Sequence, residues 1–289
     1  MFFLQGYINS GCIIKFGHNF IKISFGDERI SAPSKEVNLI IALNEESVEK
    51  HQDKLKDDGV ILFEDDDYNK VINVNAKDIA SKINIKGKNT VYIGAALKYF
   101  GLELEECKKV IEEKFSDNNV VDDNIELLKK GFENIEVNEK VKEVSKNDNR
   151  IYIDGNTAMG YGAISAGLSY YSAYPMSPST GIMNYVASKQ EELGIVVEQA
   201  EDEIAAINMA LGASYGGIRA MTGTSGGGLS LMAESIGLAA ITETPLVIAD
   251  VQRPGPATGL PTRTEQGDLL FAVNISQGDI PLMVIAPRD

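Results

Sequence analysis

Apolar positions along the chain fall into two recurring patterns. Residues 20–25 (FIKISF) and 39–43 (LIIAL) are alternating or continuous apolar runs, partly β-branched and bounded by turn residues, and they predict strands. Residues 60–63 and 71–74 predict two shorter ones. Between Leu43 and Val60 lies a helix candidate with Asn44 as its cap; Glu45 and Glu46 suit its positive end. Apolar residues recur at helical spacing over 91–100, 104–115 and 124–132. Strands alternating with helices predict a small α/β domain with a mainly parallel sheet.

The alternation is clearer further along. Residues 156–167 (NTAMGYGAISAG) predict a capped helix of small residues and 169–174 a strand. Next come a helix over 181–193, a strand over 195–198, a helix over 202–215 rich in Ala and Gly, and a strand over 218–222. The turn Thr224-Ser225-Gly226-Gly227-Gly228 leads into a helix over 229–241 and a strand over 245–250, and residues 281–286 predict a last strand. The fold class expected is a doubly wound, mainly parallel α/β sheet preceded by a second, smaller α/β domain. Composition supports that division: Asn, Asp, Lys and Ile dominate before residue 150, and Gly, Ala, Ser, Thr and Pro after it. Residues 136–149 (EVNEKVKEVSKNDN) are charged and lack an apolar run, as a linker would. The expected domains are 1–135 and 150–289, with 136–149 between them.

Charge and composition then narrow the function. With 44% hydrophobic and 24% charged residues the chain is globular rather than disordered. A net charge of -15 disfavours nucleic acid, whose binding requires Lys and Arg to displace counterions. No apolar run approaches the roughly 20 residues of a membrane span, and the first residues carry no secretion signature, so a cytoplasmic protein is expected. Cys12 and Cys107 stand alone, and the only histidines are His18 and His51. A disulfide framework, a structural zinc and a self-contained iron–sulfur cluster are therefore not expected, and no residue is assigned to a metal.

Four segments of the second half would fall at the carboxyl ends of strands, where open α/β sheets bind ligands. In the first, Pro175 and Pro178 stiffen a loop that can present Ser177, Ser179 and Thr180; a plain strand-to-helix connection capped by Ser179 explains it equally well. The second crowds Glu198, Glu201, Asp202 and Glu203 at a helix start, where acids complement the helix dipole. Glu203 differs because Ile204, Ala205 and Ala206 follow it, and a carboxyl there is open to desolvation and proton sharing. The third, Thr224 to Gly228, reads as a phosphate-cradling turn or as close helix–strand packing, but it has neither P-loop nor dinucleotide spacing. In the fourth, Arg253 sits in a proline-stiffened loop and could grip a carboxylate through two hydrogen bonds; an ion pair with Asp250 or Glu265 is the ordinary alternative.

Together these segments resemble the α subunit of the 2-oxoacid:ferredoxin oxidoreductases, particularly the 2-oxoglutarate type with a γ domain fused ahead of the α domain. YPMSPST (174–180) is similar to the family's Y-P-I-T-P-S-S loop, and residues 201–228 and 252–268 resemble their family counterparts. More weakly, KFGHNF (15–20) and LIIALN (39–44) resemble the γ domain's R-G-G-H-N and the strand after it. The resemblance implies decarboxylation of a 2-oxoacid on thiamine diphosphate, acyl transfer to coenzyme A, and electron transfer through iron–sulfur clusters to ferredoxin. By resemblance, Glu203 is the glutamate that hydrogen-bonds the aminopyrimidine ring and is the catalytic candidate. Ser177 and Arg253, with Thr180, would hold the substrate carboxylate, and Tyr174, Pro175, Thr224, Ser225 and Gly226 would line the cofactor.

The chain lacks G-D-G followed by N-N for Mg²⁺ and the diphosphate, and lacks C-x-x-C for a cluster. The resemblance places those groups on a β subunit, so the expectation is half a cofactor site, active only with that partner in an anaerobic or microaerobic cytoplasm. Lys15 and Phe16 replace the family's Arg and Gly, and no Gly-rich turn precedes His18. The resemblance also implies further domains beyond Asp289, so the chain is expected to be a fragment or a gene product shortened at both ends. Two alternatives are a non-catalytic interaction subunit of the same fold and a nucleotide-binding module using Thr224 to Gly228.

Overall fold

The computed structural model describes residues 3–9 (backbone alone), 18, 20–26, 30, 34–65, 67–136, 151 and 153–287. The chain divides into two compact units, one of residues 1–7 and 23–148, the other of residues 8–22 and 149–289. Beyond Glu136, the stretch expected to be a linker lies outside the described residues, as do Lys15, Phe16, Gly17 and Asn19.

Strands β1 (Phe3–Asn9) and β2 (Phe20–Gly26) pair as a two-stranded sheet. The first unit is then built from β3 (Val37–Ile41), α1 (Glu45–His51), β4 (Leu55–Phe63), β5 (Val71–Asn73), α2 (Ala76–Lys82), α3 (Lys88–Tyr99), α4 (Glu105–Lys114) and α5 (Asn118–Glu133). Its sheet is parallel in the order β3-β4-β5, with Ile40 opposite Ile61 and Leu62 opposite Ile72. Asn44 caps α1 as expected, its side-chain oxygen accepting from the Ser47 amide at 2.9 Å. Strand β4 begins five residues before the predicted position because exposed Asp57 and Asp58 hide its pattern. Helix α5 also begins earlier, where Asp117 caps it by accepting from the Asn119 amide. The core gathers Leu62, Val74, Val91, Tyr92, Tyr99 and Leu127.

The second unit runs α6 (Gly155–Ser165), β6 (Tyr170–Ala173), α7 (Thr180–Ser188), α8 (Gln190–Leu193), β7 (Val196–Gln199), α9 (Glu203–Tyr215), β8 (Ala220–Thr224), α10 (Gly226–Leu231), α11 (Ala233–Ile241), β9 (Val247–Asp250) and α12 (Leu269–Val273). Two predicted helices are thus each divided in two, at Lys189 and at Met232. The four strands are parallel in the order β7-β6-β8-β9, with Tyr171 opposite Val197 and Met221, and Gly223 opposite Ala249. Chain order reverses between β6 and β8: β6 leads outward to β7, and β8 leads the other way to β9. Right-handed crossovers in opposite directions place their helices on opposite faces, which makes this a doubly wound sheet.

One prediction is corrected here. Residues 281–286 do not form a strand, and Met283 and Ile285 are exposed. An apolar β-branched run becomes a strand only when a neighbour completes its ladder, and no described strand pairs with this one.

Candidate functional site

A doubly wound sheet opens a crevice outside the carboxyl ends of the strands that flank its reversal point. Here those strands are β6 and β8, so the crevice is framed by the loop 174–179 and by the turn at 224–228. The first loop is tied to itself and to α6. The Ser179 hydroxyl donates to the Met176 carbonyl at 2.8 Å, the Thr180 amide donates to the same carbonyl at 3.1 Å, and the Asn156 side-chain amide donates to the Pro178 carbonyl at 2.9 Å. Ser179 stands at the cap position of α7, but its hydroxyl makes no capping bond, so the plain capped connection is not what forms. Tyr174 and Ser177 are exposed, and Pro175 is half-buried.

Arg253 enters this loop from beyond β9. It is 8% exposed, and its Nη1 donates to the Ser177 carbonyl at 2.5 Å, while Nε is buried without a partner. The alternative of an ion pair with Asp250 or Glu265 does not form among the described residues. Instead the guanidinium is spent in part on the loop that presents the Ser177 hydroxyl.

Glu203 is the first residue of α9 and is 4% exposed, whereas Glu198, Glu201 and Asp202 are exposed. Asp202 acts as the cap, accepting from the Ala205 amide at 2.7 Å, which leaves the Glu203 side chain to turn inward. It lies against Gly228: a Cβ there would stand 2.8 Å from Glu203 Oε1 and 2.1 Å from Thr224 Oγ1. Glycine at 228 is therefore what allows the Glu203 carboxyl and the Thr224 hydroxyl to approach the start of α10. The Thr224 hydroxyl also reaches the Met176 sulfur at 3.8 Å, which joins β8 to the 174–179 loop.

On its other flank the same turn meets a second carboxyl. A Cβ at Gly226 would stand 2.5 Å from Asp268 Oδ1. Next to it, burial and then the charge of Asp268 push the Asp250 carboxyl from its ordinary 3.8 up to about 7. Carboxyls thus flank the turn at Gly226 and at Gly228, an unfavourable setting for a phosphate. A neutral or cationic ring suits this environment better, and the Ser225 hydroxyl is buried there without a partner.

The structure thus brings Glu203, Thr224 and Met176 together, and Ser177 with Arg253, at one rim. The sequence reading assigns no individual role to Gly228, Gln252 or Asp268, although Gly228 belongs to the turn it singles out and Gln252 and Asp268 bracket the segment that carries Arg253. Among the described residues, no group of His, Cys, Asp and Glu could hold a metal ion. A cavity of about 770 Å³ opens at the opposite, amino ends of the strands, lined by Met159, Leu168, Met221 and Val247; none of the candidate residues reaches it.

Two family models match the chain. Pyruvate ferredoxin/flavodoxin oxidoreductase matches residues 4–134, and the thiamine diphosphate-binding domain of pyruvate flavodoxin/ferredoxin oxidoreductase matches residues 161–289. The chain belongs to the pyruvate ferredoxin/flavodoxin oxidoreductase family. The thiamine diphosphate-binding match contains Tyr174 to Thr180, Glu203, Thr224 to Gly228, Arg253 and Asp268.

Relatives within this oxidoreductase family agree. A 2-oxoacid:ferredoxin oxidoreductase subunit alpha of Sulfolobus is 30% identical over 338 aligned positions, covering 96% of this chain and 54% of the relative. The 2-oxoglutarate synthase subunit KorA of Archaeoglobus fulgidus is 50% identical over 135 residues, covering 47% of this chain and 39% of its own. A solved 2-oxoglutarate:ferredoxin oxidoreductase from Magnetococcus marinus, with 2-oxoglutarate, coenzyme A and succinyl-CoA bound, superposes with a TM-score of 0.87. It is 32% identical, over 97% of this chain and 52% of that one. The chain spans about half the length of the relatives it matches along nearly its whole length.

Proposed function

We propose that this chain supplies one half of a thiamine diphosphate site in a 2-oxoacid:ferredoxin oxidoreductase, with 2-oxoglutarate as the 2-oxoacid. The observation that carries the reading is the buried carboxyl of Glu203 at the first turn of α9, with Gly228 leaving room beside it. That carboxyl suits a hydrogen bond to a ring nitrogen of an aminopyrimidine, and the unpartnered Ser225 hydroxyl offers a second polar contact. When bound, thiamine diphosphate supplies a thiazolium carbon that adds to the 2-oxo carbon. Glu203 holds and returns the proton that the aminopyrimidine ring nitrogen requires. Arg253, held at the Ser177 carbonyl, receives the substrate carboxylate together with the Ser177 and Thr180 hydroxyls, while Tyr174 and Pro175 shape the adjoining wall and Thr224, Ser225 and Gly226 the floor.

The carboxyl-flanked turn is unsuited to the diphosphate. The diphosphate with its Mg²⁺ therefore belongs to a β-type partner, as does the iron–sulfur cluster that passes electrons to ferredoxin. Coenzyme A accepts the acyl group. The Magnetococcus complex with 2-oxoglutarate and succinyl-CoA, and the 2-oxoglutarate synthase names of the KorA relatives, support this substrate choice. No helix among the described residues is long and apolar enough to cross a membrane, which fits a cytoplasmic complex.

Anaerobic reconstitution with the β-type subunit of the same organism tests the reading. Viologen reduction would be followed with 2-oxoglutarate, pyruvate and branched-chain 2-oxoacids, each with coenzyme A. Coenzyme A-dependent turnover fastest with 2-oxoglutarate is expected. A stable complex that turns over none of these acids would contradict it and favour a non-catalytic interaction subunit.

A further inference from the structure

The segment that carries Arg253 leaves β9, circles, and returns to its own start. The Asp268 amide donates to the side-chain oxygen of Gln252 at 2.9 Å, closing residues 252–268 into a loop. Within it the Leu260 amide donates to the Pro254 carbonyl at 3.0 Å. Gly259, at a φ of +57°, completes that turn where a Cβ would collide with the same carbonyl at 1.7 Å. The loop is also seated on the start of α10. The Ala257 carbonyl lies 3.2 Å from the position of a Cβ at Gly227, and the Asp268 carboxyl presses on Gly226.

Asp268 stands at the cap position of α12 without making a capping bond, so its side chain is directed to Gly226 rather than to its own helix. Its Oδ2 and the Oδ1 of Asp250 are both buried and unpartnered. Two carboxyls in that situation are tolerated when a proton neutralises one of them, consistent with the raised Asp250.

We infer that Gln252 and Asp268 are positioning residues that clasp the 252–268 loop onto Gly226 and Gly227 and thereby hold the Arg253 guanidinium at Ser177. The consequence for substrate rests on the proposed function; the clasp itself does not.

The clasp is read directly on the full chain by labelling with phenylglyoxal, an arginine-selective dicarbonyl. Peptide mass spectrometry quantifies Arg253 against exposed Arg219. Gln252→Ala and Asp268→Leu should speed Arg253 labelling by about fivefold or more, because the loop no longer excludes the reagent. Asp268→Asn, which keeps the shape and polarity of the side chain against Gly226, should restore protection. Unchanged Arg253 labelling in both Gln252→Ala and Asp268→Leu would overturn the clasp. In the reconstituted complex, Gln252→Ala should raise KM for the 2-oxoacid about tenfold, leaving kcat and the KM for coenzyme A little changed. Equal loss in all three would overturn the positioning role. If the wild-type complex turns over no 2-oxoacid, the proposed function fails, and the labelling comparison still decides the clasp.

Discussion

Both units build a parallel sheet flanked by helices, yet they use glycine for different ends. In the first unit, Gly94 on α3 and Gly131 on α5 let two helix backbones touch. A Cβ on Gly94 would stand 2.1 Å from the Leu128 carbonyl, and one on Gly131 2.0 Å from that of Val91. In the second unit, Gly226, Gly227 and Gly228 admit the Asp268 carboxyl, the Ala257 carbonyl, and the Glu203 carboxyl with the Thr224 hydroxyl. The first arrangement packs a core; the second brings polar atoms to a rim. Close approach is thus a structural device in one unit and a chemical one in the other.

That contrast is open to test, most severely at Gly228. Gly228→Ala should push Glu203 and Thr224 apart and lower turnover of the reconstituted complex by roughly 100-fold. Its thermal stability should fall far less than that of a first-unit variant; a large stability loss with normal turnover would erase the contrast. Arg253→Ala removes a charged hydrogen-bonding group, worth about 1.5–3 kcal/mol, and should lower kcat/KM for the 2-oxoacid about 10- to 100-fold. Most of that loss should fall in KM, without a matching rise in the KM for coenzyme A; equal effects on both would count against a carboxylate role.

In the first unit, Gly131→Ala should cost stability through overpacking, about 1–3 kcal/mol, offset by the ~1 kcal/mol that Ala gains over Gly in a helix. Thermal denaturation would show the loss, and turnover per folded molecule should be unchanged.

A further expected effect is electrostatic. The unfolded chain ionises Asp250 near 3.8, whereas the folded chain keeps its proton up to about 7. Between those values the folded state binds more protons, so this group erodes stability as pH rises through the window. Asp250→Asn removes that penalty and should gain on the wild type between pH 5 and pH 8. A difference in melting temperature that does not vary with pH would contradict the assignment.

How much of this was legible in the sequence follows the same division between local and long-range causes. Alternating patterns and the Asn44 cap located the elements, because both act within a few residues. The singling out of Glu203 among four acids came from the apolar residues that follow it, and burial does separate it from Glu198, Glu201 and Asp202. The start of β4 was hidden by Asp57 and Asp58, which face outward from a strand whose later residues are core. Residues 281–286 misled in the other direction, since strand propensity was present without a pairing partner. The surroundings of residues 224–228 were hidden for a long-range reason. The carboxyls of Asp268 and Glu203 that flank the turn come from 42 residues after Gly226 and 25 before Gly228, and only the fold brings them there. The clasp between Gln252 and Asp268 was illegible for the same cause: nothing local marks a side chain that closes a loop.

The most direct test of the central claim is Glu203→Gln in the complex reconstituted with the β-type subunit, measured for assembly and for 2-oxoacid-dependent viologen reduction. The account predicts a complex that assembles like the wild type and has lost its turnover. Near-normal turnover in that variant would remove Glu203 from the chemistry and contradict the account.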